Sequence, residues 1–138
     1  MKPPTTVLFV CLHGAAKSLI AARFLERMAA EQGLRVECRF AGLEPDDAIP
    51  SGVIEGMAAD GFDVSGERPV AANKPDVAAA DQVVAFGCDV TPLGAPRAIR
   101  WNGIPDVSDD YGVARDAIVS RLRELLETLP SRTNRTTI

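Results

Sequence analysis

An apolar run ending in a cysteine, followed by a tight loop and an immediate helix start, constrains this chain more than any other feature. The residues are Val7-Leu8-Phe9-Val10-Cys11-Leu12-His13-Gly14-Ala15-Ala16-Lys17-Ser18. A strand delivers Cys11 into the turn, and Lys17 supplies a cation just before the helix begins. Backbone N–H groups of such a loop, with those of the first helical turn, point at a common centre, and the helix dipole adds positive potential there. That centre suits an oxyanion. The same field lowers a cysteine pKa from about 8.5 towards neutrality, which populates the nucleophilic thiolate. Leu12, His13, Gly14, Ala15 and Ala16 are therefore read as the anion-binding loop.

The 138 residues suit one domain, assigned to 1–130, with a polar tail over 131–138. No stretch approaches the roughly 18 apolar residues of a membrane span, and no basic segment precedes a signal-peptide core. A cytoplasmic location without membrane attachment is expected. The net charge of −4, with Lys and Arg scattered rather than striped, argues against nucleic acid as a partner. Three cysteines (Cys11, Cys38, Cys88) and a single histidine lack the spacing of a metal site. No metal or cofactor is expected, and the thiols are read as free.

Apolar periodicity predicts alternating strands and helices. Strands are expected over 5–10, 35–40, 82–86 and 97–101. Helices are expected over 18–32, 51–59, 75–80 and 113–129, the last with Val113, Ile118, Leu122, Leu125 and Leu126 on its buried face. Gly33 and Gly61 are read as helix stops, and 64–74 and 102–112 as loops. This order implies an α/β, three-layer sandwich: about four parallel strands with helices on both faces. Ligands bind such sheets at the carboxyl ends of strands, where Cys11 falls.

Several segments in register resemble the low-molecular-weight protein tyrosine phosphatase superfamily, and within it the thioredoxin-coupled arsenate reductases. Phe9-Val10-Cys11 with the loop and Ser18 resembles the family's phosphate-binding loop. Ala41-Gly42-Leu43-Glu44-Pro45 resembles its Ser-Ala-Gly-x-Glu-Pro stretch, and the segment Gly56–Ser65 its approach to Ser-x-x-x-Pro, here Ser65 to Pro69. Ala79–Cys88 resembles the third strand and the first redox cysteine, and Trp101–Asp106 the loop with the acidic residue. The resemblance implies catalytic roles for Cys11 as nucleophile, Lys17 as oxyanion-holding cation and Ser18 as hydrogen-bond donor to sulfur. It makes Asp106 the general acid, with Asp109 as runner-up, and Cys88 the second thiol. Ser18 is also a candidate cap for the following helix, and Cys88 has a plain structural alternative. Cys38 reads as core. His13 reads as loop packing, and Tyr111 as a possible platform for an aromatic substrate.

The departures from the family are specific. Lys17 stands for arginine, replacing a planar fork by a point charge; one lost charge-assisted hydrogen bond is worth about 1.5–3 kcal/mol, or one to two decades in rate. Gly14 stands for asparagine and Phe40 for serine, and Asp89–Pro92 lacks a further redox cysteine. Three activities stay open at this point. The first is arsenate reduction, with thioredoxin or a small thiol as reductant. The second is a degenerate member that binds anions or phosphoproteins, and the third a phosphatase working through phosphocysteine.

Overall fold

The computed structural model describes residues 3–129, so the tail assigned to 131–138 lies outside them. Strand β1 (Thr5–Cys11) lies between β2 (Val36–Gly42) and β3 (Gln82–Phe86), and β4 (Ile99–Trp101) extends the sheet beyond β3. Every pairing is parallel. Helix α1 (Lys17–Glu31) follows β1, α2 (Ser51–Ala59) and α3 (Lys74–Ala79) lie between β2 and β3, and α4 (Tyr111–Thr128) follows β4. The expected α/β sandwich with four parallel strands is the fold observed.

The two-residue period of a strand divides β1 between two cores. Val7, Phe9 and Cys11 face the larger one, with Leu19, Leu25 and Ile20 of α1 and Ile118 and Leu122 of α4. Leu8 and Val10 face the smaller one, with Val77 of α3, Val83 and Val90. Both faces of β1 are thus buried, which explains why its sequence is continuously apolar rather than alternating. In β2, Cys38 and Phe40 are buried while Glu37 and Arg39 are exposed, the half-buried pattern of an edge strand. Gly33 and Gly61 do terminate α1 and α2, each at positive φ (72° and 93°).

Three details differ from expectation. Helix α4 starts at Tyr111 because the Asp110 carboxylate accepts a hydrogen bond from Val113 N–H at 3.1 Å. Its buried face then runs from Ala114 through Ile118 and Leu122 to Leu125 and Leu126, and Val113 is 53% exposed, one residue off that stripe. Strand β4 is shorter than expected, since 95–98 form a turn closed by Ala98 N–H on the Ala95 carbonyl. A single 3₁₀ turn, Thr91–Leu93, follows β3, initiated by the Asp89 side chain accepting from Thr91 N–H. Among the described residues no helix is long and apolar enough to cross a membrane.

The contrast within α4 is measurable. Leu122→Ala empties a fully buried position and is expected to lower stability by about 2–5 kcal/mol. Val113→Ala should change it by no more than about 0.5 kcal/mol. Urea unfolding followed by circular dichroism checks both.

Candidate active site

The pairing of β1 with β2 ends at Cys11 opposite Gly42, and the chains then separate into two loops. The second loop holds the first by its carbonyls. Leu43 N–H donates to the Cys11 carbonyl (3.2 Å), Glu44 N–H to Leu12 (2.7 Å) and Asp46 N–H to His13 (3.0 Å). With these carbonyls engaged on one side, the loop's amide dipoles are left for the other. Gly14 makes the turn at φ 60° and donates its N–H to Cys11 Sγ at 3.2 Å. Ser18 Oγ lies 3.0 Å from the same sulfur, and its residue is fully buried. When Cys11 is a thiolate, both groups donate to it.

Ser18 is therefore not a helix cap. The capping position of α1 is Ala16, with no side-chain hydrogen bond, and the helix begins at Lys17. The N–H groups of that first turn have no intrahelical acceptors, which is the feature that suits a helix start to an anion. Gly14 also changes meaning. A Cβ there would lie 2.5 Å from Gly42 N and 2.8 Å from the Ala41 carbonyl carbon, so the position has room only for glycine. The loss of the family's asparagine is a packing condition of this loop and not simply a missing amide.

Lys17 is half-buried rather than a free surface lysine. Its Nζ donates to the Ile104 carbonyl at 3.1 Å and stands 3.7 Å from the Asp106 carboxylate, whose side chain is 73% exposed. The cation thus ties the anion loop to the 102–110 loop. Asp106 and Asp109 both line the cavity over Cys11, which has a volume of about 1020 Å³. Its walls are largely apolar, with Leu12, Pro50, Val53, Val107 and Tyr111. His13 also lines this cavity, its Nδ1 3.3 Å from both the Glu44 carbonyl and Asp46. That arrangement is loop packing, and it adds positive charge near the site when the ring is protonated.

Cys88 lines the same cavity, just beyond β3. Its Sγ donates to the Val10 carbonyl at 3.6 Å, one residue before Cys11, while its side chain packs on the smaller core. Burial pushes its thiol up, and the neighbouring Cys11 adds to this. Cys38 is buried far more deeply and burial raises its thiol strongly, so it behaves as core. All three cysteines are free thiols. Among the described residues no cluster of His, Cys, Asp or Glu could hold a metal ion.

Two features escape a reading of the sequence. The Gly42–Asp46 segment resembles a family stretch, yet nothing in its letters says that its N–H groups hold the carbonyls of the loop after Cys11. The other is a hub at Asp60. Tyr111 Oη donates to it at 2.8 Å, Arg115 contacts both its carboxylate oxygens (2.8 and 3.0 Å), and the Tyr111 ring covers Gly56. Tyr111 is consequently a fixed wall of the cavity, joining α2 to α4.

The family profile of the low molecular weight phosphotyrosine protein phosphatases matches residues 6–91. The chain belongs to this family. A Halobacterium salinarum protein provisionally named an arsenate reductase is 32% identical over 89 residues, which are 63% of this chain and 63% of that protein. The chain therefore spans less than two thirds of that curated relative. The thioredoxin-dependent arsenate reductase Cg_ArsC1' of Corynebacterium glutamicum superposes with a TM-score of 0.74 at 30% identity, covering 92% of this chain and 62% of that one. The low molecular weight protein tyrosine phosphatase of T. tengcongensis shares the fold, with a TM-score of 0.78 at 18% identity over 91% and 99% of the chains.

The hub has a spectroscopic consequence. Burial and the Asp60 carboxylate hold the Tyr111 phenol well above its ordinary titration. A group whose folded titration is raised contributes its full stability below the unfolded value, near 10, and loses it as pH rises through the folded value. Tyr111 is the chain's single tyrosine, so phenolate absorbance at 295 nm reads it alone. The expected result is no phenolate at pH 10.5 in the folded protein, and its appearance there on unfolding in urea.

Proposed function

We propose that this family member is an oxyanion reductase of the arsenate reductase type, using Cys11 and Cys88 as its two thiols. The observation that carries this is the position of Cys88: its sulfur is hydrogen-bonded to the residue preceding Cys11, and both cysteines line one cavity. The names of the Halobacterium salinarum and Corynebacterium glutamicum relatives support the same reading.

In the first step the Cys11 thiolate attacks arsenic, forming an S–As bond while an arsenate oxygen leaves as water. Gly14 N–H and Ser18 Oγ hold the sulfur in place for attack. The first-turn N–H groups and Lys17 offset the charge of the oxyanion. Asp106, at the cavity mouth and beside Lys17, supplies a proton to the departing oxygen. In the second step Cys88, deprotonated, attacks Cys11 Sγ. The S–As bond breaks with its electron pair on arsenic, which leaves as arsenite, and a Cys11–Cys88 disulfide remains. Arsenic gains two electrons and the thiols lose two. Bond formation needs the two Cα atoms within about 7 Å, and the turn at Gly87, with φ 67°, leads from β3 directly into Cys88. With no further cysteine within 89–92, the disulfide is reduced directly by an external dithiol such as thioredoxin.

A second reading rests on the apolar walls of the cavity, which suit the organic group of a phosphate monoester better than an inorganic ion. Cys11 would then carry phosphate and Asp106 would protonate the leaving oxygen.

Single-turnover mass spectrometry of the reduced protein separates these readings. With arsenate, the expected result is a loss of two protons mapped to Cys11 and Cys88, with release of arsenite, and no such loss in Cys88→Ser. Phosphorylated Cys11 and released phenol from an aryl phosphate, undiminished in Cys88→Ser and without a disulfide, would replace the reductase by the phosphatase. An unchanged mass with both reagents would reduce the site to anion binding.

A further inference from the structure

The loop that presents Cys11 is gripped by the backbone of a neighbouring segment, and one glycine sits at the centre of that contact. A Cβ on Gly42 would lie 2.5 Å from Gly14 N, 2.6 Å from the His13 carbonyl carbon and 2.9 Å from Gly14 Cα. Real Cβ atoms do not approach backbone so closely, so any side chain at 42 must push the loop. The atom it pushes hardest, Gly14 N, carries the hydrogen that reaches Cys11 Sγ at 3.2 Å. Gly42 cannot recede to make room. Its own N–H donates to the Val70 carbonyl at 2.9 Å, and its carbonyl accepts from Ala72 N–H at 2.8 Å. Beyond it, Leu43, Glu44 and Asp46 grip the carbonyls of Cys11, Leu12 and His13.

We infer that Gly42 is a positioning residue for the nucleophile: pinned between the 70–72 strap and the anion loop, it aims the Gly14 N–H at the Cys11 sulfur. The inference deepens the reading of Cys11 as the nucleophile and rests on it. A hydrogen bond to the thiolate favours the ionised form, so the bond's loss is visible as a change in the pH at which Cys11 reacts.

The test is the pH–rate profile of Cys11 alkylation by iodoacetamide, read on the Cys11 peptide by mass spectrometry in the full chain. Gly42→Ala is expected to move the profile about one unit to higher pH, a tenfold loss of rate on its rising limb, with a plateau at high pH retained. Gly66→Ala, where nothing lies within 4 Å of the added Cβ, should superpose on the parent. An unmoved profile in folded Gly42→Ala would overturn the inference. If that variant does not fold, the decision passes to Glu44→Pro, which deletes the N–H held by Leu12 at an exposed position, compared with Glu44→Ala, which keeps it. A shift confined to the proline variant supports the inference, and coincident profiles overturn it. A parent whose Cys11 reacts at pH 7 no faster than in urea would overturn the nucleophile reading as well. A fast parent with unmoved variants overturns the inference alone.

Discussion

Strand β1 is hydrogen-bonded on both edges and buried on both faces, and the whole site depends on that confinement. Its register with β2 and β3 brings the carboxyl ends of three adjacent strands to one edge of the sheet. The loops leaving those ends, 12–16, 43–46 and 87–90, are therefore neighbours, and the loop after β4 joins them through Lys17 and the Ile104 carbonyl. A thiol at the end of a strand with no freedom to slip is a thiol with a defined position. Attack on an oxyanion, and any transfer from one sulfur to another, needs that definition.

The departures from the family pattern fit together once packing is considered. Phe40, where the family has serine, is buried in the larger core, with the Arg23 guanidinium 5.7 Å from its ring centre. Gly14, where the family has asparagine, lies against Gly42 with no space for a side chain. In this chain backbone hydrogen bonds from 43–46 hold the loop. Backbone tethers carry little rotamer entropy to lose, so they hold a loop without further ordering cost. Lys17 completes the pattern. Its flexible stem lets one ammonium serve both the Ile104 carbonyl and Asp106, a division of labour that a planar guanidinium committed to two oxyanion oxygens would not permit.

Charge is distributed unevenly over the cavity. Lys17 faces Asp46, Asp106, Asp109 and Asp110 along its lining, although Asp110 is engaged as the α4 cap and Asp46 faces His13. Most of the attraction for an oxyanion must come from amide dipoles of the loop and of α1, which act at short range and are preorganised. The apolar wall opposite is fixed from behind by Asp60, which binds Tyr111 and Arg115 at once. The cavity's shape is thereby set by α2 and α4, and its chemistry by β1 and α1.

Much of this was legible in the letters because it obeys local rules. The apolar run before Cys11, the helical spacing from Ile20 to Met28, and Gly33 and Gly61 as stops each reflect one element's own periodicity or capping, and the sheet class follows from their alternation. The position of Cys11 at a strand's carboxyl end follows too. Contacts between distant segments are written nowhere in local pattern. Ser18 belongs to the sulfur and not to a cap because α1 begins one residue earlier than its apolar stripe suggests. Val113 is exposed because the Asp110 cap extends α4 and sets which face turns inward. Gly14 is obligatory because Gly42, 28 residues on, lies against it. By itself the sequence determined the fold class and the place of Cys11 at the end of a buried strand, ahead of a tight loop and a helix start, whose signals are short-range backbone preferences. Tertiary structure alone decided what holds that loop, where Lys17 reaches and how near Cys88 comes, since those depend on which strand ends the sheet sets side by side.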